Sequence, residues 1–279
     1  MAGLRYSRPM SALADSSRLL ASDDPPPAEV FNDGGSALTL FVCDHAGRRI
    51  PKALGNLGLD AAAFERHIAW DIGAAEVARR LAVRLDASLV LATYSRLVID
   101  VNRRVDDPTA MPEESDGTRV PANCDMPPDI RAARIAEIHE AYHQLVAQRL
   151  AMLAARGVPM VISVHSFTPL FKGFERPWQI GVLWNKDGRL AKPLMKRLAE
   201  LEIAVGDNEP YSGQDAHGYT LPRHVEQAGI PHVLLEVRQD LIDTRRGAEE
   251  WADKLYGALA PLLLDPALRA LQKPSEQKS

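Results

Sequence analysis

Three short runs carry residues able to do hydrolytic chemistry: Asp44-His45 in "FVCDHAGRRIP", His165-Ser166 in "VISVHSF", and Glu236 in "LLEVRQD", which continues to Arg238 and Asp240. Each lies at or near the end of an apolar run of strand length, where open α/β sheets collect their ligands. Two imidazoles and a carboxylate, with one position left to water, make the donor set of a catalytic zinc. The third donor is expected near the helix after the first strand, where "ERHIAWDIGAAEVARRL" offers His67, Asp71 and Glu76. Asp71 stands where the helical pattern begins, a place that suits a ligand and suits a helix N-cap equally well. Glu236, on another strand and not needed as a ligand, is positioned to take a proton from water and return it to a leaving amine.

Other polar residues fall close to these runs. "SRLVIDVNRR" adds Arg96, Asp100, Asn102 and Arg103. Arg96, Arg103 and Arg238 lie at or beside apolar segments, where a guanidinium needs an anion. That anion is either a protein carboxylate such as Glu236 or a substrate carboxylate gripped by two parallel hydrogen bonds. His139 and His143, four apart on a long helix, are spaced to clamp a metal; His143 is read instead as a hydrogen-bond donor to the pocket. His67, His217, His224 and His232 need no more than solvated or supporting roles. Cys43 shares a strand face with His45, so a thiol hydrolase is a minor rival reading.

The elements that must position these residues alternate along the chain. Strands are expected at Leu38–Cys43, Ser88–Tyr94, Leu97–Val101, Met160–His165, Gln179–Trp184 and His232–Val237. Helical periodicity fills the intervals in "DIGAAEVARRLAVRL", "PDIRAARIAEIHEAYHQLVAQRLAMLAAR", "GRLAKPLMKRLAEL" and "GAEEWADKLYGALAPLL". Short, nearly all-apolar strands separated by helices predict a single three-layer α/β domain, its mostly parallel sheet covered on both faces. That domain is expected over residues 31–266, with flexible segments at 1–30 and 267–279. The polar stretch from Asp106 to Pro128 reads as a long loop of the kind that walls a pocket.

Bulk composition excludes several classes. Thirty-three basic against 37 acidic side chains give a net charge of −4, so no global field draws the chain to nucleic acid or anionic membranes. Two cysteines make no disulfide framework, which fits a reducing, cytoplasmic setting. No apolar run approaches the ~20 residues of a bilayer span, and no secretory signal is read at the N-terminus. The expected partner is a small molecule bearing a carboxylate; the oligomeric state stays open, a homo-oligomer included.

Seven blocks, "CDHAGRRIPKALGNLGL", "HIAWDIGA", "SRLVIDVNR", "SVHSFTP", "RPWQIGVLWNKD", "VGDNEPYSG" and "LLEVRQDLI", occur in an order that resembles the N-formylglutamate amidohydrolase family over roughly residues 38–262. The resemblance implies a zinc-exopeptidase-like fold and metal-dependent cleavage of N-formylglutamate to formate and glutamate. It also implies kinship with zinc-dependent muramoyl-alanine amidases. Their ligand pattern, carried over, falls on His45, Asp71 and His165, with Glu236 as catalytic base. The expected metal is zinc or another divalent ion. Asn208 and Tyr211 are expected to complete a pocket with Arg96, Asn102, Arg103, Arg238 and His143. One departure stands out: carboxypeptidase-like relatives write His-x-x-Glu where this chain has His45-Ala-Gly-Arg48. If Asp71 fails as the remaining ligand, Glu76 or His67 inherits the role.

Overall fold

The computed structural model describes residues 18–215 and 218–272. Within these residues the main sheet is built from β1 (Ala28–Phe31), β2 (Thr39–Cys43), β3 (Ser88–Ala92), β4 (Met160–Phe167), β5 (Ile180–Leu183), β6 (Val205–Asp207) and β7 (His232–Arg238). Their spatial order is β1-β3-β2-β4-β7-β5-β6. The central four, β3-β2-β4-β7, are parallel. β5 turns antiparallel to β7 and carries β6 parallel to itself, while β1 pairs antiparallel with β3. The expected mostly parallel sheet is therefore present, with an antiparallel strand at one edge and a reversed pair at the other.

Strand alternation sorts the two faces. In β4, Met160, Ile162 and Val164 join one apolar core with Val233, Leu235 and Val237 of β7. That face is covered by α1 (Ala74–Arg84) and two further helices, Ala191–Glu200 and Arg245–Leu264. The opposite face carries Ser163 and His165 from β4 and His232, Leu234 and Glu236 from β7, because side chains two apart share a face. It is covered by one long helical run: α2 (Pro128–Arg134), a π turn (Ile135–His139) and α3 (Glu140–Ala154). The remaining two helices complete the series as α4 (Ala191–Glu200) and α5 (Arg245–Leu264). The two cores lie on either side of the sheet, which makes the domain three layers thick.

Two expectations change. Leu97–Val101 is buried but forms turns rather than a strand. With no sheet edge beside it, its carbonyls are bonded by side chains instead: Leu97 O accepts from Asn123 Nδ2, Val98 O from Arg134 Nη1 and Val101 O from His143 Nε2. Burial looks alike in both cases, so an apolar run of this length does not tell strand from buried loop. The domain also starts before residue 31. Leu19 is buried, Leu19 and Leu20 donate to the Glu137 carboxylate, and β1 belongs to the sheet. At the other end Arg269 donates to Leu38 O and Gln272 to Gly229 O, so the described part of the expected tail is bonded to the domain. Residues 1–17 and 273–279 lie outside the described residues, as does His217.

Candidate active site

The parallel strands deliver their polar ends to one edge of the sheet. Asp44-His45 follows β2, His165 sits near the end of β4, and Glu236 is the register partner of His165 on β7. Asp71 comes from the segment before α1, and the backbone fixes it there: its N–H donates to His45 O at 2.9 Å. Two glycines permit this approach. A side chain at Gly47 would collide with the Thr93 carbonyl, and Gly73, at φ +79°, turns into α1 against the Ile242 carbonyl. Gly47 thus serves close packing against the neighbouring strand end.

His45, Asp71 and His165 are buried and offer one ligand atom each within 4.8 Å of one another. The outer hydrogen bonds decide which atoms. His45 Nε2 lies 2.6 Å from Asp100 Oδ1, and His165 Nε2 lies 3.0 Å from Asp44 Oδ2. An ionised carboxylate only accepts, so both Nε2 atoms donate outward, and both Nδ1 atoms face Asp71 Oδ2, at 3.4 and 2.8 Å, where the proton of His165 Nδ1 would give way to a cation. A carboxylate behind each imidazole is the arrangement that orients metal-binding histidines. Two imidazoles and one carboxylate converging from three segments therefore fit a divalent cation of the zinc type.

The supporting carboxylates are themselves held. Asp44 Oδ1 accepts from Tyr142 OH at 2.6 Å and from Thr220 Oγ1 at 2.8 Å. Burial alone would raise the Asp44 pKa, but the His165 hydrogen bond and charge outweigh it and bring the group down to about 2. Asp100 accepts from Arg96 Nη2 at 2.7 Å and from the Asn102 backbone at 2.9 Å. Against its own burial, the Arg96 charge holds Asp100 well below the usual carboxylate range. Arg96 also lies 3.5 Å from Asp71 Oδ1, so one guanidinium steadies a ligand and a supporting acid together.

Glu236 behaves differently from these aspartates. It is 8 % exposed, its Oε2 has no hydrogen-bond partner among the described residues, and burial pushes its pKa up to about 7. A carboxyl beside a metal-ready group, titrating near neutrality, is matched to general base work. Asp44, His45, Asp71, His165 and Glu236 line a cavity of about 250 Å³ together with Arg96, Asn102, Arg103 and Tyr211.

The other expected residues fall elsewhere. Glu76 pairs with Arg80 on α1, and His67 lies beside Asp116, so neither reaches the ligand group. Arg238 is tied to Asp240 and to the Arg176 and Trp178 carbonyls, away from the cavity wall. Asn208 shapes its own loop by accepting from the Trp184 and Gly213 backbones. His143 donates to Val101 O behind the wall. Arg238, Asn208 and His143 are not among the residues lining the cavity. The thiol reading fails too: Cys43 packs in the core on the far face, and burial plus Asp71 and Asp44 raise its pKa well above the ordinary thiol value.

Residues that sequence reasoning missed include Tyr142, Thr220 and Arg176. Arg176 is buried, donates to Tyr211 OH at 3.2 Å, and stacks 4.8 Å from Phe171 and 5.0 Å from Tyr211. It thereby holds Tyr211 at the cavity rim. The helical run holds a further surprise, since His139-Glu140-Ala141-Tyr142-His143 matches the H-E-x-x-H pattern of zinc helices. Here Nε2 of His139 donates to Arg103 O at 2.9 Å and Nε2 of His143 to Val101 O at 2.8 Å. Glu140 is paired with Arg223. The two imidazoles hold the backbone of the segment that presents Asn102 and Arg103.

Comparison with known proteins agrees with this fold. The family model for N-formylglutamate amidohydrolase matches residues 37–243. The crystal structure of the Agrobacterium tumefaciens gene product Atu2144 superposes with a TM-score of 0.83 at 34% identity, covering 88% of this chain and 99% of that one. An N-formylglutamate amidohydrolase from Ralstonia eutropha shares the fold with a TM-score of 0.62 at 19% identity, covering 86% and 97%. The chain has no match among curated protein sequences. No helix among the described residues is long and apolar enough to cross a membrane.

Proposed function

The chain belongs to the N-formylglutamate amidohydrolase family, and from that premise we propose that it is a zinc-dependent enzyme cleaving N-formyl-L-glutamate to formate and L-glutamate. The observation that carries this reading is the grouping of His45, Asp71 and His165 beside a Glu236 whose carboxyl titrates near neutrality. A zinc ion held by those three would polarise the amide carbonyl and make water a stronger acid.

The chain's own residues supply the rest. Glu236 takes a proton from the attacking water and hands it to the departing nitrogen, so the amine leaves neutral. Asp44 and Asp100 keep both imidazoles in the Nε2–H tautomer throughout. Arg103, Asn102 and Tyr211 face the cavity and receive the substrate carboxylates, while Arg96 balances the negative charge of Asp71 and Asp100. A cytoplasmic location and a small anionic substrate, with no nucleic-acid or membrane partner, complete the proposal. An amidase for other N-acyl amino acids on the same scaffold is the second reading.

Formate release from N-formyl-L-glutamate tests the proposal, assayed on protein as purified, after chelation, and after zinc return. Activity lost on chelation and regained with zinc supports reaction and metal together. A zinc-loaded protein that releases no formate overturns the substrate.

A further inference from the structure

Arg176 carries a buried charge that no protein carboxylate neutralises. It is 6 % exposed, and among the described residues it has no ion-pair partner. A short hairpin, Leu170–Phe171 against Phe174–Glu175, leads into it. Its backbone is held at both ends, the N–H donating to Pro169 O at 2.8 Å and the carbonyl accepting from Arg238 Nη1 at 3.2 Å. Three rings box the guanidinium, with centroids 4.8 Å away for Phe171, 5.0 Å for Tyr211 and 5.6 Å for Phe167. Aromatic faces offset part of the cost of a buried cation, but the fuller remedy is an anion.

The strand places this charge beside the reacting centre. Phe167 follows His165 by two residues on β4, so the two side chains share a face about 7 Å apart. Arg176 Nη1 donates to the carbonyl of Thr168, the residue after β4, at 3.2 Å. The guanidinium therefore stands just past the strand end, outward of the ligand group. The same Nη1 donates to Tyr211 OH at 3.2 Å, and the Tyr211 proton goes to no described residue. Burial and the Glu236 charge raise the Tyr211 pKa against the pull of Arg176, so the phenol keeps that proton. Tyr211 is 43 % exposed and lines the cavity, which Arg176 does not. A hydroxyl that accepts from a cation on one side is a strengthened donor on the other.

Two anion positions thus flank the ligand group. Asn102 and Arg103 follow β3, Arg176 and the Tyr211 stacked on it stand past β4, and β2 runs between, so about 10 Å separates the two strand axes. The Asn102 N–H is bonded to Asp100, the acid behind His45, which keeps that position close to the reacting centre. In an N-acylglutamate the α-carboxylate shares a carbon with the scissile nitrogen, and the side-chain carboxylate stands two methylenes further out. We propose that Tyr211 and Arg176 form the subsite for the side-chain carboxylate. Tyr211 donates to it, and Arg176 is the positioning residue behind, whose charge selects an acidic side chain over its amide. The α-carboxylate is left to Asn102 and Arg103. This subsite rests on the reading of the chain as a hydrolase of N-acyl amino acids and names what makes it choose an acidic one.

The test uses the full, zinc-loaded chain and three substrates of one shape: N-formyl-L-glutamate, its side-chain amide N-formyl-L-glutamine, and its α-amide N-formyl-L-isoglutamine. The unaltered protein should prefer the glutamate to the glutamine substrate in kcat/KM, chiefly through KM. Arg176→Met should cut that ratio about tenfold or more, as for the loss of one charge-assisted hydrogen bond. Tyr211→Phe trims only a hydroxyl from a half-exposed ring, remains informative if Arg176→Met does not fold, and should cut the ratio equally. The double variant should lose no more than either single one, because the pair acts as a unit. Arg176→Lys, which keeps the charge, should restore part of the ratio. Calorimetric binding of L-glutamate against L-glutamine reads the subsite without hydrolysis. A preference for glutamate there, lost in Arg176→Met or Tyr211→Phe, supports the subsite even if no formate is released; in that case only the hydrolase reading fails. Variants that slow the glutamate and glutamine substrates alike, or that erase discrimination against the α-amide instead, overturn it.

Discussion

The chain has two groups of histidines, and among the described residues only one could hold a metal ion. His139 and His143 occur in a helical run that spells a zinc motif, and His224 in a separate π turn over Pro222–Glu226, yet their ring nitrogens are taken up by backbone carbonyls, by Glu140 or by each other. His143 Nδ1 lies 2.9 Å from His224 Nε2. Burial lowers the pKa of His143 to about 3 and that of His224 to about 4, so both stay neutral. His45 and His165 come from strands 120 residues apart, match no zinc motif, and are each backed by an aspartate with Nδ1 turned to a third carboxylate. The lesson is that spacing proposes ligands, but the partner of the second ring nitrogen selects them. A backbone carbonyl or a carboxylate on Nε2 can orient an imidazole for a metal alike; the difference lies at Nδ1, which faces Glu140 in His139 and His224 in His143, but the shared Asp71 carboxylate in His45 and His165.

The largest expected effect breaks the comparison outright. His165→Ala should abolish both bound zinc and turnover, whereas His143→Ala should leave zinc stoichiometry intact by elemental analysis. Equal zinc loss in the two would erase the distinction. Glu236→Gln should keep its zinc and lose about 10²–10⁴-fold in kcat; unchanged turnover would remove Glu236 from the chemistry. Asp44→Asn tests whether the supporting carboxylate matters, with a loss of about 10–100-fold in metal affinity or activity, measured by competition with a chelating dye.

The pH profile sharpens the comparison further. Burial raises the Glu236 pKa to about 7, and the base must be ionised to accept a proton. Activity should therefore fall about tenfold per unit as pH drops below that value, with a profile flat to pH 5 excluding the assignment. The same raised pKa has a stability consequence. A carboxyl whose folded pKa lies above its unfolded value is favourable when protonated, so this contribution is complete below the ordinary glutamate range and is lost as pH rises through about 7. The smallest effect belongs to the histidines that hold backbone. His143→Ala strands the buried Val101 carbonyl, and chemical denaturation should show a loss of about 1–3 kcal/mol.

Much of this architecture is legible in the chain. Alternating apolar strands and amphipathic helices declare the layered fold, and His45, His165 and Glu236 stand out because polar residues at the ends of such strands have few structural reasons to be there. Asp71 is less visible, since a residue at a helix start reads equally as a cap. Arg238 and Asn208 lie outside the cavity lining for local reasons: a strand-end arginine is bound by Asp240 two residues on, and an asparagine at positive φ serves its turn. Tyr142 and Thr220 give no signal, because a tyrosine in an amphipathic helix is ordinarily core.

The sequence by itself determined most of the strands and helices, hence which sheet edge gathers the polar ends, because period and burial are properties of neighbouring residues; it did not show that Leu97–Val101 forms turns or that Ala28–Phe31 and Val205–Asp207 join the sheet. It also determined the donor types. The tertiary structure alone decided which atoms of those donors face one another. Asp100 behind His45, Asp44 behind His165, and the Arg103 and Val101 carbonyls that accept from His139 and His143 are contacts between distant parts of the chain. The protonation state of an imidazole nitrogen follows from the atom it touches.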